Sequence, residues 1–171
     1  MNILITGQPG VGKTTLIQKV VADLGRPCQG FYTREIREDR GGRVGFEIVT
    51  LDGKRSLLAH VARRTPQRLG KYFVQLENID RVIIPCLEEA IAGAELVVID
   101  EIGKMELFSR GFQQVVVRAL DAPVPVLGSI TLADLPLVRQ IKVRPDVTIL
   151  TLRPDNRQQL YQEILARLKH G

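Results

Sequence analysis

Residues 7–14 read GQPGVGKT and follow MNILIT, an apolar run of strand length. The spacing G-x-x-x-x-G-K-[ST] predicts a loop that cradles phosphate. Gly7, Gly10 and Gly12 free the backbone to take positive φ and bring its N–H groups close to phosphate oxygens, where side chains would block the approach. Lys13 is placed to reach the β- and γ-phosphates and Thr14 to offer its hydroxyl to Mg²⁺. The helix that begins there turns the positive end of its dipole toward the anion. The context agrees, because TTLIQKVVADL spaces its apolar residues as an amphipathic helix does.

Beyond this helix, GFYTREI predicts a second strand, EDRGGR a Gly-rich turn, and VGFEIVTLDGKRSLLA an antiparallel hairpin turning at Asp52-Gly53. RRTPQRLGKYFVQ reads as a basic loop running into a short extended piece. NIDRVIIPCLEEAIAG has helical spacing, with Pro85 either kinking the helix or starting its continuous part. ELVVID is a short, continuously apolar strand of the kind buried on both faces, ending in two carboxylates, PVPVLGSI a further buried strand and DVTILTL the last strand. Between and after them, FSRGFQQVVVRALD, LADLPLVRQIKV and RPDNRQQLYQEILARLKHG read as helices, the last starting at Pro154 or Asp155. This alternation predicts an α/β fold: a mostly parallel sheet with helices on both faces and an added antiparallel hairpin region.

The 171 residues, 44% hydrophobic, suffice for one packed core and are short for two, so residues 1–171 are expected to form a single domain. No run approaches the roughly 20 apolar residues of a membrane span, and no basic segment precedes the first strand, so a cytoplasmic protein is expected. Cys28 and Cys86 are too far apart in sequence for a metal-ligand pair and are expected as buried thiols. The net charge is +5, but cations are spread along the chain and aromatics make up only 5%, so a solvated surface is favoured over a nucleic-acid partner. The default oligomeric state is a monomer.

The acidic pair in LVVIDEIGKMELFS decides what happens to the phosphate. Asp100 falls at the end of a buried strand, from which a carboxylate reaches Mg²⁺. Glu101, directed outward, is placed to hold a water in line with the γ-phosphorus. Lys104 follows Gly103, so a turn either returns its ammonium toward the phosphates or leaves it in solvent. Ser129, ending PVLGS, either reads the γ-phosphate or the water, or caps the next helix.

GQPGVGKTTL, GFYTREIR, RVGFEIVTLDG, LGKY, IDEIGKMELFS and RPDNR together resemble the small nucleoside-triphosphatases of hyperthermophiles and their human cancer-related counterpart. The resemblance runs over essentially the whole length, and the acidic pair followed by GKME is its most specific part. It implies a RecA-like P-loop NTPase fold and slow, Mg²⁺-dependent hydrolysis of ATP, GTP, CTP, UTP and dNTPs to the diphosphate and phosphate. Carried onto this sequence, Gly7, Gln8, Pro9, Gly10, Val11, Gly12, Lys13, Thr14 and Thr15 form the nucleotide site. Thr14 and Asp100 serve the metal, and Lys13, Glu101 and Lys104 the chemistry. Glu106 belongs to the GKME motif, or is simply a helix-start carboxylate. Asn156 and Arg157 match a late NR motif expected to touch base or ribose, unless Arg157 pairs with a carboxylate. Arg34, Arg37 and Arg43 lie on the hairpin and either cover the phosphates or are solvated, as exposed arginines there usually are, and none is assigned to the chemistry.

Two other readings fit a phosphate loop. A nucleotide or small-molecule kinase has similar size, and Asp80-Arg81-Val82 weakly matches an acceptor motif of such enzymes. A kinase excludes water, however, whereas a Glu directly after the Mg²⁺ aspartate suits activating it. A nucleic-acid-associated ATPase switch is compatible with the basic pI. No NKxD-type guanine motif is present. Phe108 and Tyr161 are the candidates for stacking on a base.

Overall fold

Alternation along the first strand sets the layering of the molecule. In the computed structural model, which describes residues 1–171, Ile3 and Ile5 of β1 (Asn2–Thr6) face one side of a central sheet and Leu4 the other, all fully buried. Side chains of successive strand residues point to opposite faces, so a strand apolar at every position needs cover on both. Ile3 and Ile5 pack with α1 (Lys13–Leu24) through Leu16, Ile17 and Val20, and with the C-terminal helix through Leu160 and Ile164.

After α1 the chain forms β2 (Cys28–Arg37), β3 (Arg43–Thr50), β4 (Arg55–His60), β5 (Arg68–Leu69) and β6 (Tyr72–Val74). A short α2 (Leu76–Asn78) then passes through a π-helical turn (Ile79–Ile83) into α3 (Ile84–Gly93). Pro85 stands in the first turn of α3, directly after the π-helical turn. It therefore starts the regular helix. The rest is β7 (Leu96–Ile102), a 3₁₀ turn (Glu106–Phe108), α4 (Arg110–Asp121), β8 (Val126–Ile130), α5 (Pro136–Lys142), β9 (Val147–Thr151) and α6 (Arg157–His170). Ser109 caps α4, its Oγ accepting from the Phe112 N–H at 3.0 Å and donating to Asp80 Oδ1 at 2.5 Å. Asp80 thus ties the π-helical turn to α4, a structural task for the residue that matched a kinase motif.

The nine strands run in the order β5-β6-β4-β3-β2-β7-β8-β1-β9. The expectation of a mostly parallel sheet is corrected here. Pairs β2/β7, β7/β8, β8/β1 and β1/β9 are parallel, but β2/β3, β3/β4, β4/β6 and β6/β5 are antiparallel, so the sheet is mixed. The physical reason is turn length. The connections at 38–42, 51–54 and 70–71 are too short for a crossover helix, so each reverses the chain. The stretch taken for a basic loop becomes the β5–β6 hairpin and completes this antiparallel wing.

Strand β7 is flanked by glycines on both neighbours. A Cβ built on Gly30 of β2 would lie 1.9 Å from the Val98 carbonyl oxygen, and one on Gly128 of β8 would lie 2.2 Å from that of Ile99. Both carbonyls belong to the two residues just before Asp100. No helix is long and apolar enough to cross a membrane.

Candidate active site

The C-terminal ends of parallel strands β1, β7 and β8 converge, and the loops leaving them build one cleft, the position such sheets offer a ligand. The loop after β1 leads into α1 through Gly12, whose φ of 103° places it in the left-handed region. That conformation aims the first amides of α1 at the cleft. A Cβ at Gly12 would also meet the Arg157 guanidinium at 2.1 Å. Lys13 Nζ donates to the Gly7 carbonyl at 2.8 Å and lies 4.0 Å from Glu101 Oε2.

Asp100 is 2% exposed in β7, at the bulge two residues before the strand ends at Ile102. Thr14 Oγ1 donates to its Oδ2 at 2.6 Å, and Ser129 Oγ donates to its Oδ1. Burial raises the Asp100 pKa, opposed by these two hydroxyls and by Lys13. Ser129 is fully buried and orients the aspartate; it neither faces the cleft nor caps α5, in contrast to both roles open to it in the sequence. Glu101 turns outward against Gly103, where an added Cβ would lie 2.7 Å from Glu101 Oε1. Burial raises its pKa too, with Lys13 lowering it and Asp100 raising it further.

The cleft has a volume of about 650 Å³ and gathers Gly7, Gln8, Pro9, Gly10, Lys13, Thr14, Asp100, Glu101 and Lys104. Lys104 is exposed at its rim. Thr33, Arg34, Glu35, Arg43 and Phe46 of the wing and Thr131, Leu132 and Ala133 after β8 complete the lining. The sequence left the wing arginines either over the phosphates or in solvent. In the structure Arg34 and Arg43 face the cleft, each held by a carboxylate: Arg34 by Glu47, and Arg43 by Glu35 at 3.0 Å together with the Tyr72 hydroxyl at 2.9 Å. Arg37 binds Glu35 and the Gly41 carbonyl and does not line the cleft. The three residues after β8 were also missed. Their signal was placement, since the loop after β8 must leave the sheet beside the one after β7.

Asn156 and Arg157 sit apart from the cleft lining. Asn156 Nδ2 donates to the Thr151 carbonyl at 2.9 Å and its Oδ1 accepts from the Arg153 N–H at 2.7 Å, so the side chain shapes the turn into α6. Arg157 donates to the carbonyls of Val11 at 2.7 Å and Gly12 at 3.3 Å, and its partner is the phosphate loop rather than a carboxylate. Thr15 is exposed on α1. A second hollow of about 450 Å³ beside the loop is lined by Gly7 to Val11, Leu132, and Thr151 to Pro154. Neither stacking candidate reaches it. Tyr161 donates to Asp23 on the α1–α6 side, and Phe108 lines a separate apolar groove with Leu107 and Leu135. Cys28 and Cys86 are half-buried, donating to the carbonyls of Arg26 and Gly30. Burial pushes the Cys86 thiol up to about 11.

Comparison with known proteins decides the family. A family described as NTPase matches residues 2–165. The chain belongs to this NTPase family. It is 48% identical over 169 residues to a nucleoside-triphosphatase THEP1 of Thermotoga sp. (strain RQ2), covering 99% of this chain and 96% of that one. It is 41% identical to the human cancer-related nucleoside-triphosphatase, covering 96% and 95%. The crystal structure of THEP1 from Aquifex aeolicus superposes with a TM-score of 0.91 at 38% identity, covering 99% of this chain and all of that one. The NTPase relatives therefore share the wing as well as the parallel core, since nearly every residue of both is covered.

Proposed function

We propose that the protein hydrolyses nucleoside 5'-triphosphates to the diphosphate and phosphate, slowly and with little regard for the base, in the manner of a RecA-like P-loop NTPase acting as a single cytoplasmic domain and as a monomer. The observation that carries this is the Asp100 carboxylate, clamped between Thr14 and Ser129 with Glu101 beside it and Lys13 within 4.0 Å of Glu101.

The donor set fits Mg²⁺. No group of three or more His, Cys, Asp or Glu side chains could hold a metal alone. One buried carboxylate and one hydroxyl suit a hard cation that keeps several waters and takes the rest of its oxygens from phosphate. Thr14 and Asp100 would hold it, and it would supply charge to the β- and γ-phosphate oxygens.

The chain's own residues do the rest. The amides of residues 7–14 bind the phosphates and the α1 dipole favours their charge. Lys13 exchanges its carbonyl partner for phosphate oxygen and stabilises the charge that builds up in the transition state. Glu101 accepts a hydrogen bond from a water and aligns it with the γ-phosphorus. Its side chain is 32% exposed, so bulk water reaches this position, which favours hydrolysis over transfer to an acceptor. Lys104 at the rim adds a further positive charge. The hollow beside Leu132 and Pro154 receives the base, with Asn156 and Arg157 acting behind it on the loops and not on the nucleotide. Its lining mixes the apolar Val11, Leu132 and Leu152 with Gln8, Thr151 and Arg153 and holds no aromatic ring, which is compatible with loose recognition of the base.

Phosphate release from ATP, GTP, CTP and UTP, measured for the wild type and Glu101→Gln, tests the proposal. Similar slow release from all four is expected, with turnover of the variant down ~10²-fold and nucleotide binding retained. Release that requires an added nucleoside monophosphate would replace hydrolysis by transfer.

A further inference from the structure

Cations are spread along the chain, but their excess over carboxylates falls in one stretch. Residues 53–76 carry six Lys and Arg and no Asp or Glu. Without those six, the chain's 24 Lys and Arg fall to 18, against 19 Asp and Glu. The whole positive excess therefore belongs to β4, β5, β6 and their connections, the outer part of the wing.

Most of these cations are unpaired. Arg55 meets Glu47 at 2.8 Å, but Lys54, Arg63, Arg64, Arg68 and Lys71 are exposed and reach no carboxylate within ion-pair distance. On β2 and β3 the exposed arginines are neutralised, as Arg34 is by Glu47 and Arg37 and Arg43 by Glu35. Two of the unpaired arginines flank one aromatic ring. The guanidinium carbons of Arg64 and Arg68 lie 5.9 and 5.4 Å from the centroid of Phe73, within the range of a cation–π contact. Lys71 stands over the next ring, Tyr72, at 5.4 Å, and Arg43 over the same ring at 5.8 Å. Tyr72 and Phe73 are consecutive strand residues and point to opposite faces, so the cations wrap the edge of the sheet. β5 is the terminal strand of that edge, and Arg43 on the cleft side also lines the nucleotide cleft.

We propose that this edge, centred on Arg64, Arg68 and Phe73, is a binding surface for single-stranded nucleic acid. Unpaired arginines contact phosphates, and their planar guanidinium groups beside an aromatic ring offer the stacking faces that unpaired bases use. A lipid surface fits less well. The exposed large apolar residues of the molecule are Met1, Phe108, Leu132 and Val143, and none lies in residues 53–76 to enter a bilayer. The surface is separate from the phosphate loop and from the Asp100–Glu101 pair, so it binds its partner independently of hydrolysis.

Fluorescence anisotropy with fluorescein-labelled 20-mers of U and dT tests this, using the full chain, at several salt concentrations. The wild type binds, and log Kd against log salt has a slope of about 3, as expected for some four phosphates neutralised on a single strand. Arg64→Ala/Arg68→Ala weakens binding by about tenfold or more, Phe73→Leu weakens it with the charge unchanged, and both retain wild-type basal NTP turnover. Arg167→Ala/Lys169→Ala, which removes the same charge from the end of α6, leaves binding within about twofold, since screening makes remote charges count little. Three results would overturn the proposal: no anisotropy change at low salt, equal loss in the two double variants, or binding to phosphatidylserine vesicles in preference to the oligonucleotides.

Discussion

The parallel half of the sheet and the antiparallel wing handle polar residues in opposite ways. In the parallel half they are few and buried, and those that set the site are paired: Asp100 is 2% exposed and Ser129 fully buried, and the two bind each other. In the wing they are many and exposed, arranged as ion pairs on neighbouring strands such as Arg34 with Glu47 or Arg43 with Glu35. A buried hydrogen bond fixes an atom because its alternative is an unsatisfied group, whereas an exposed pair competes with water at little cost. Geometry that must be exact to within fractions of an ångström therefore belongs to the parallel half, and attraction over distance to the wing.

Substitutions break or sharpen this contrast. The largest effect belongs to Lys13→Ala, which should abolish measurable hydrolysis, a loss of ~10³-fold or more, and weaken nucleotide binding, because it removes charge from ground and transition states alike. Isothermal titration alongside a turnover assay reads both. Next comes Arg157→Ala. Losing the two bonds to the Val11 and Gly12 carbonyls loosens the loop from behind, so KM for ATP should rise about tenfold while kcat changes far less. An equal loss in kcat would mean that Arg157 shapes the transition state instead.

Glu106 offers a subtler test. It is 4% exposed, its Oε2 has no hydrogen-bond partner, and burial, with Glu101 and Asp100 adding to it, raises its pKa well above the ordinary range. A folded pKa above the unfolded one means the folded state holds the proton more tightly, so this residue's stabilisation is complete below about pH 4 and is lost as pH rises toward the folded value. Glu106→Gln should accordingly raise Tm by roughly 3 °C at pH 8, with the gain vanishing near pH 4, as differential scanning calorimetry would show. A pH-independent gain would contradict the burial argument. The smallest change expected is from Arg34→Ala, whose 53% exposed side chain pairs with Glu47 on the surface. Stability should move by less than about 1 kcal/mol in chemical denaturation.

The parallel half was the more legible in the sequence, for a physical reason. ELVVID has four consecutive apolar residues before Asp100, and PVPVLGSI is apolar up to Gly128, runs that burial on both faces explains, and the glycines of GQPGVGKT suit a tight phosphate-binding loop. Asp100 and Glu101 could be placed because a strand end fixes where its last residues lie. Partners across the sheet could not. That Ser129 binds Asp100 depends on the register of β7 against β8, and that Asn156 serves its own turn depends on backbone no pattern reveals. The wing's hairpins were legible one at a time through their turns. Their addition as four strands to one side of β2, which brings Arg34, Arg43 and Phe46 to the cleft, depends on long-range pairing.

Gly30 and Gly128 hold β7 between them with no room for a methyl group on either side. Two positions that carry no functional group thus act as the reference plane from which the reactive carboxylates are set out, much as a lens depends on its spacers. Anyone reshaping this chain for a new nucleotide should work on the hollow beside Leu132 and Pro154 and leave those two residues alone. A side chain at either would push β7 aside and carry Asp100 and Glu101 with it.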